Sequence, residues 1–242
     1  FALWRCESCQ LVYMWPRPAR EASASSYAAG RQGDTGASGA ASEAAALLAA
    51  YDAAHTPYVR LGLRRRLARL HRRRALGRVL DFGCGSGHLL GLAREAFGSA
   101  TWGIELHPVA RAGAARFGFT LHAGPLEAAP FQPASFDLAY SVQVFEHLPE
   151  PRLEVTRLVE LLAPGGLLFL EVPHEGSLAI RLGRDRFLCN RPPGHLNYFS
   201  RAAMRRLLED AGLETLSLRT TGLDYRSLLG RSAGAGHPAG AR

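Results

Sequence analysis

A glycine-rich turn follows the apolar segment at residues 79–82, and its residue types favour ligand binding. Gly83, Gly85 and Gly87 occupy alternate positions, where glycine permits a tight turn and a close approach of the backbone to a ligand. A turn of this kind, between a buried strand and a helix, is where doubly wound sheets bind their ligands. We therefore expect a cofactor-binding loop formed by Asp81, Gly83, Cys84, Gly85 and Gly87.

Two details separate this turn from the pyrophosphate-binding turn of nicotinamide and flavin enzymes. The third glycine of the dinucleotide fingerprint would fall at position 88, where the chain has His88. Asp81 also closes the apolar segment directly before the loop, and a carboxylate there would repel a pyrophosphate. The same carboxylate suits the ammonium group of S-adenosylmethionine. An NAD(P)-dependent Rossmann oxidoreductase is the alternative interpretation.

A second carboxylate has the spacing expected of a ribose ligand. Glu105 lies twenty residues beyond Gly85, at the end of the apolar segment 102–105. An acidic residue at this position can accept hydrogen bonds from both ribose hydroxyls of an adenosine ligand. We therefore expect Glu105 to bind the ribose, the alternative being a surface glutamate at a strand end.

The elements that must position these residues alternate along the chain from residue 78 onward. Short apolar runs are separated by helical patterns of about ten residues, which is typical of βαβ units and a mostly parallel sheet. The predicted strands cover residues 78–82, 100–105, 119–122, 136–141, 166–172 and 213–220. The predicted helices cover residues 86–97, 108–117, 152–162 and 201–211. The predicted fold is therefore α/β and Rossmann-like.

The remaining segments predict a five-part organisation. We expect an arm at residues 1–20, a mobile low-complexity linker at 21–42, an Arg-rich helical segment at 43–75, a catalytic core at 76–222 and a disordered tail at 223–242. Leu63, Leu67 and Leu70 repeat at helical spacing and predict one apolar face on the helical segment.

The arm contains a Cys-x-x-Cys pair, Cys6 and Cys9, which is half of a zinc-ribbon ligand set. A second pair would have to lie upstream of Phe1, so we interpret the chain as starting inside its natural sequence; a metal-free arm is the alternative. Two thiolates cannot complete a tetrahedral site, and we expect no bound metal.

The formal net charge of +8 is a weak argument for a nucleic-acid partner. All 29 basic residues other than histidine are arginine, which together with the excess of Ala and Gly indicates codon bias. No apolar run reaches the roughly 18–20 residues of a membrane span, so no membrane partner is expected. The first residues lack the features of a secretion signal, and we expect a cytoplasmic protein.

Three further blocks, at residues 136–149, 161–168 and 192–200, together with the glycine turn, resemble the class I S-adenosylmethionine-dependent methyltransferases. The last block, with Cys6, Cys9 and Pro16-Arg17-Pro18, is similar to a bacterial subgroup that carries a Cys-x-x-Cys arm. The resemblance implies methyl transfer to oxygen or carbon of a small-molecule acceptor of glycan or secondary-metabolite type. An RNA-directed or non-catalytic protein that uses the Arg-rich helix is a third interpretation.

The resemblance also implies roles for matching positions. Asp81 and the three glycines would hold the methionine end of S-adenosylmethionine, and Glu105 with Leu106 the ribose and adenine. Leu126 and Glu127 would flank the adenine ring, and Ser141 with Gln143 would line the floor beneath the sulfonium. Two features depart from the family pattern. Pro125 stands where many relatives have an acidic residue, and no candidate for the usual seventh strand follows Gly222.

Methyl transfer is an in-line displacement in which the protein aligns the reactants and excludes water. A base is needed only where the acceptor is a hydroxyl or a carbon acid. His147, after the fourth strand of the core, is our first candidate, with helix capping as its alternative role. His195 is the second candidate, with a structural role as its alternative, and His174 is a weaker third.

Overall fold

The computed structural model describes residues 1–19, 46, 48–50, 52–53, 57–176 and 194–220. The predicted linker at 21–42 and tail at 223–242 lie outside these residues. The strands are β1 (Ala2–Arg5), β2 (Val12–Trp15), β3 (Arg78–Phe82), β4 (Ala100–Ile104), β5 (Thr120–His122), β6 (Phe136–Val142), β7 (Leu162–Glu171) and β8 (Asn197–Tyr198). The α-helices are α1 (Pro57–His71), α2 (His88–Phe97), α3 (Val109–Phe117), α4 (Pro151–Leu161) and α5 (Arg201–Asp210).

Five parallel strands form the main sheet in the order β5-β4-β3-β6-β7. The central strand β3 pairs through Leu80 with Trp102 of β4 and with Ala139 of β6. The strand order reverses beside β3, which places the carboxyl ends of β3 and β6 at the switch point where such sheets bind ligands. The predicted Rossmann-like α/β fold is thus confirmed.

Side chains of the sheet alternate between two cores, one on each face, because successive strand residues point to opposite sides. Val79 of β3 belongs to one core with Leu67 of α1 and Leu90 of α2. Leu80 belongs to the other core, together with Val155 of α4. Burial on both faces explains why the strands of this sheet read as almost continuous apolar runs.

A second, three-stranded sheet joins the N-terminal arm to the core. β1 pairs with β2, and β2 pairs antiparallel with β8, so that Val12 lies opposite Tyr198 and Tyr13 opposite Asn197. The sequence analysis predicted neither this sheet nor strand β8. β8 has only two residues, too few to produce a detectable alternation.

Two predicted strands need correction. Residues 213–220 are not a strand: Leu213 and Leu218 pack against the second core, and β7 has no neighbour other than β6 within the described ranges. Strand β7 begins at Leu162, four residues before the predicted start. A register shift between Phe136 and Leu138 accommodates the Pro-Gly-Gly sequence at 164–166.

No helix in the described part of the chain combines the length and apolar character needed to cross a bilayer.

Candidate active site

The glycine turn after β3 has the backbone conformation that its sequence predicted. Gly83, Gly85 and Gly87 have φ angles of 77°, 50° and 77°, in the left-handed region that glycine adopts without strain. A Cβ atom at Gly83 would lie 2.2 Å from Cγ2 of Val144, so no larger residue fits there. Val144, in the chain after β6, therefore packs closely against the glycine turn.

Glu105 connects the glycine turn to the end of the neighbouring strand. Its Oε2 accepts a hydrogen bond from the backbone N–H of Gly85 at 3.0 Å. Its Oε1 accepts from the N–H groups of Leu106 at 2.8 Å and His107 at 2.9 Å. The structure therefore brings together Gly85, Glu105 and Leu106, which the sequence placed in one site.

Asp81 is buried beneath this turn, with 5% of its surface exposed. Burial, and secondly the nearby charge of Glu105, raise the pKa of Asp81 to about 8. Two carboxylates this close stabilise a bound cation, because a positive charge offsets both the desolvation and the mutual repulsion. The site is thus suited to a ligand with a positively charged group.

Cys84 lies in the same loop but packs inward. Burial, followed by the charges of Asp81 and Glu105, raises the pKa of the Cys84 thiol far above its ordinary range. Its Sγ would lie 2.5 Å from a Cβ built at Gly103, so it fills the space between the loop and β4. A protonated, buried thiol is not a nucleophile.

The remaining predicted cofactor residues lie around the carboxyl ends of the strands. Leu126 is buried in the second core, whereas Glu127 forms an ion pair with Arg157 at 3.5 Å. Ser141 donates a hydrogen bond from Oγ to the carbonyl of Phe82 at 2.9 Å, which ties β6 to β3. Gln143 has a φ of 57°, and its N–H donates to the Glu171 carbonyl.

His88, which replaces the third glycine of the dinucleotide fingerprint, begins α2, and its ring lies 5.0 Å from that of Phe117. Its Nδ1 lies 2.7 Å from Ser86 Oγ, and its Nε2 lies 2.9 Å from Oδ1 of Asp52. Asp52 also pairs with Arg116 of α3 at 2.5 Å. His88 therefore joins the glycine turn to the segment before α1.

Two histidines predicted as catalytic candidates meet beside the 3-10 turn that follows β6. His147, in the 3-10 turn Phe145–His147, donates from Nδ1 to the Gly194 carbonyl at 2.7 Å. Its ring centroid lies 4.7 Å from that of His195, with the rings nearly perpendicular at 82°. The third candidate, His174, is joined instead to Phe199 by an isolated bridge.

Glu146 is a site residue that the sequence analysis missed. It is 1% exposed, and neither carboxylate oxygen has a hydrogen-bond partner among the described residues. Burial raises the pKa of Glu146 to about 8. The signal in the sequence is the Glu-His dipeptide in a turn directly after a core strand. The sequence analysis assigned a role to its histidine and none to its glutamate.

Asn197 fixes the turn that carries Glu146 and His147. Its Nδ2 donates to the carbonyls of Phe145 at 3.1 Å and Leu148 at 2.7 Å, and its Oδ1 accepts from Arg17 at 2.9 Å. Because Arg17 belongs to the arm, Asn197 links the arm, β8 and the turn.

Residues 55–218 match a family model described as a methyltransferase domain. A ubiquinone biosynthesis O-methyltransferase of Ralstonia nicotianae is 33% identical over 171 residues, covering 64% of this chain and 70% of the relative. The protein of the same name from Aromatoleum aromaticum is 30% identical over 164 residues, covering 62% of this chain and 69% of the relative. The family match begins after the Cys6–Cys9 arm.

Solved structures share the fold at lower identity. A SAM-dependent methyltransferase from Archaeoglobus fulgidus has a TM-score of 0.52 and 21% identity, covering 64% of this chain and 70% of that chain. The [4+2]-cyclase SpnF has a TM-score of 0.51 and 23% identity, covering 64% of this chain and 58% of that chain, less than two thirds of its length. The fold therefore does not by itself define the reaction.

Proposed function

The chain belongs to the methyltransferase-domain family, and on that premise we propose that it transfers a methyl group from S-adenosylmethionine to a small-molecule acceptor. The observation that carries the proposal is the pair of carboxylates at the glycine turn. Glu105 is hydrogen-bonded to Gly85, and the buried Asp81 lies close enough for the charge of Glu105 to raise its pKa. A sulfonium cofactor that also carries an ammonium group supplies the positive charge that these carboxylates favour.

The cofactor's parts are assigned to the residues around this turn. Asp81 and the glycine turn hold the methionine end, while Glu105 and Leu106 hold the ribose and adenine. Because the Glu105 carboxylate already accepts three backbone N–H groups, its orientation is set before the ribose hydroxyls arrive. The flanking residues are Leu126, Glu127, Ser141 and Gln143.

We infer that the acceptor atom is oxygen or carbon, and the O-methyltransferase names of the relatives favour oxygen. In the reaction the acceptor oxygen forms a bond to the methyl carbon while the carbon–sulfur bond breaks. The electron pair of that bond stays on sulfur, and the sulfonium becomes a neutral thioether. The hydroxyl proton leaves, and we propose that His147 or His195, whose rings are in contact, promotes its loss.

The acceptor class rests on the resemblance to the bacterial subgroup with a Cys-x-x-Cys arm. We propose a glycan or secondary-metabolite hydroxyl that binds beside His147 and His195, near the turn that follows β6. The arm contributes by holding β8, which begins two residues after His195.

Calorimetric titration of the full chain tests the cofactor assignment. We expect binding of S-adenosylmethionine and of its demethylated product, S-adenosylhomocysteine, with one site per chain. NADH and NADPH should not bind, because Asp81 opposes a pyrophosphate. Binding of a nicotinamide cofactor without binding of S-adenosylmethionine would refute the proposal and favour an oxidoreductase.

A further inference from the structure

A buried imidazole, that of His88, directly follows the glycine turn and has no role in the proposed methyl transfer. His88 is 9% exposed, and both of its ring nitrogens lie within hydrogen-bond distance of another side chain. Burial of a polar ring is tolerated when its nitrogens are paired in this way. The ring also contacts that of Phe117 in α3, so packing and hydrogen bonds together fix its orientation.

The turn that precedes this imidazole is flexible by composition. Three of its five residues are glycines with φ angles in the left-handed region, and glycine loses more conformational freedom on ordering than any other residue. The other two residues, Cys84 and Ser86, are the ones whose side chains can hold the turn. Cys84 fills the space beside β4. Ser86 is therefore the side chain available to hold the second half of the turn.

Ser86 is held through both its side chain and its backbone. It is 2% exposed, and its Oγ lies 2.7 Å from Nδ1 of His88. Its carbonyl oxygen packs against α3, where a Cβ built at Gly113 would lie only 2.1 Å away. The imidazole thus contacts the one polar side chain inside the turn.

Asp52 fixes the tautomer of the imidazole. Its Oδ1 lies 2.9 Å from Nε2 of His88, and because a carboxylate only accepts, Nε2 carries a proton. In the neutral ring Nδ1 then has the lone pair and accepts from the Ser86 hydroxyl. The hydrogen bond from Arg116 to the second oxygen lowers the pKa of Asp52, so the carboxylate stays charged. These four side chains form a continuous series of hydrogen bonds that ends at the glycine turn.

We propose that His88 is a positioning residue for the cofactor, because its hydrogen bond to Ser86 holds the glycine turn in the conformation that binds the methionine end of S-adenosylmethionine. The inference rests on the proposed function for the identity of the ligand. A turn that is ordered before the ligand arrives loses less freedom on binding, which raises the affinity. A glycine at position 88, as in the dinucleotide fingerprint, would leave Ser86 without this partner. His88 acts through Ser86 and not by contact with the cofactor.

Two amide substitutions separate the two hydrogen bonds of the imidazole. His88→Asn places its amide near the position of Nδ1 and keeps the bond to Ser86, whereas His88→Gln reaches the position of Nε2 and keeps the bond to Asp52. Binding of S-adenosylmethionine is measured by calorimetry. We expect His88→Gln and Ser86→Ala to weaken it by about twofold to tenfold, the equivalent of one hydrogen bond. His88→Asn should keep the affinity of the parent protein.

A double-mutant cycle and a matched control separate positioning from a general loss of stability. His88→Gln should have no further effect in the Ser86→Ala background, since both changes remove the same hydrogen bond. The control is His71→Gln at the end of α1. Nδ1 of His71 accepts from the N–H of Leu76 at 3.3 Å, so this variant loses a comparable bond elsewhere and should bind S-adenosylmethionine as the parent does.

Amide hydrogen exchange tests the same contact without a cofactor. The N–H of Gly87 donates to the Cys84 carbonyl at 2.8 Å within the turn, so its exchange rate reports local opening. We expect exchange to be about twofold to tenfold faster in His88→Gln and Ser86→Ala, and unchanged in His88→Asn and His71→Gln. Ser86→Ala carries the test if His88→Gln fails to fold.

The proposal is overturned if His88→Gln and Ser86→Ala match the parent protein in exchange and in affinity, or if His88→Asn loses as much as His88→Gln does. Failure of the parent protein to bind S-adenosylmethionine would instead refute the proposed function. The exchange rates would in that case still decide whether His88 holds the glycine turn.

Discussion

Oε2 of Glu105 lies 3.0 Å from the backbone nitrogen of Gly85, twenty positions earlier in the chain. This contact joins the turn after β3 to the end of β4, the two strand ends that form the proposed cofactor site. A ligand that bridges the turn and Glu105 meets a site that is already assembled, which reduces the ordering cost of binding.

Glu105→Ala should weaken binding of S-adenosylmethionine by roughly tenfold to a hundredfold, because hydrogen bonds to a charged carboxylate contribute about 1.5–3 kcal/mol. Calorimetry on the folded variant measures the loss. Glu160→Ala, at an exposed glutamate of α4, is the matched control. Unchanged affinity in Glu105→Ala would remove this residue from the cofactor site.

The unliganded protein should lose stability as the pH rises toward 8 because of Asp81. Burial and the charge of Glu105 raise the pKa of Asp81 to about 8, whereas the unfolded chain releases this proton near pH 4, at about 3.9. The folded state therefore holds a proton that the unfolded state has lost. The contribution is fully present below about pH 4 and disappears as the pH passes through 8.

Urea denaturation at pH 5 and pH 8 tests this dependence. We expect the wild type to lose at least about 1.4 kcal/mol, the equivalent of one pKa unit. In Asp81→Asn this part of the pH dependence should be absent, and Glu160→Gln should behave as the wild type does. An unaltered slope in Asp81→Asn would mean that a different group is responsible.

His147→Ala should lower methyl transfer by about 10²–10⁴-fold once an acceptor is known. Affinity for S-adenosylmethionine should change little, because the contacts of His147 with the Gly194 carbonyl and the ring of His195 hold it on the proposed acceptor side. Turnover and cofactor affinity are measured on the same preparation. A decrease below about threefold, against the contribution expected of a base, would limit His147 to a structural role. Loss of cofactor binding would indicate damage to the fold.

Asn197→Ala should destabilise the protein by about 1–3 kcal/mol, because the Leu148 carbonyl loses its side-chain donor, whereas the Phe145 carbonyl keeps a 3.4 Å contact with the N–H of Leu148. Asn197 is 1% exposed and serves the carbonyls of Phe145 and Leu148. Asn197→Asp keeps the acceptor for Arg17 but removes the donor, so it separates the two functions. Chemical denaturation gives the loss, and equal stability of all three proteins would contradict the assigned hydrogen bonds.

The cofactor side could be predicted from the sequence because its signals are local. The glycines lie within five residues of one another, and Glu105 follows at a spacing set by one βαβ unit. Helix α2 was predicted to begin at residue 86 and begins at His88, which is near the accuracy that such patterns allow.

The acceptor side could not be predicted in this way because it depends on long-range pairing. Strand β8 exists through its bonds to β2, some 180 residues earlier, and Leu213 and Leu218 are positioned by packing against the core. The importance of Glu146 follows from its burial beside two histidines, one of them 49 positions away, which no spacing rule reveals.

The three-stranded sheet of β1, β2 and β8 has a thermodynamic consequence for the whole chain. Since β8 hydrogen-bonds to β2 and begins two residues after His195, we expect order in the arm and order around His195 to be coupled. Linkage of this kind is reciprocal, so an acceptor that fixes His195 also tightens the arm. Trp15, at the end of β2 and 57% exposed, is therefore an intrinsic fluorescent reporter, at the opposite end of the chain, of events at the acceptor site.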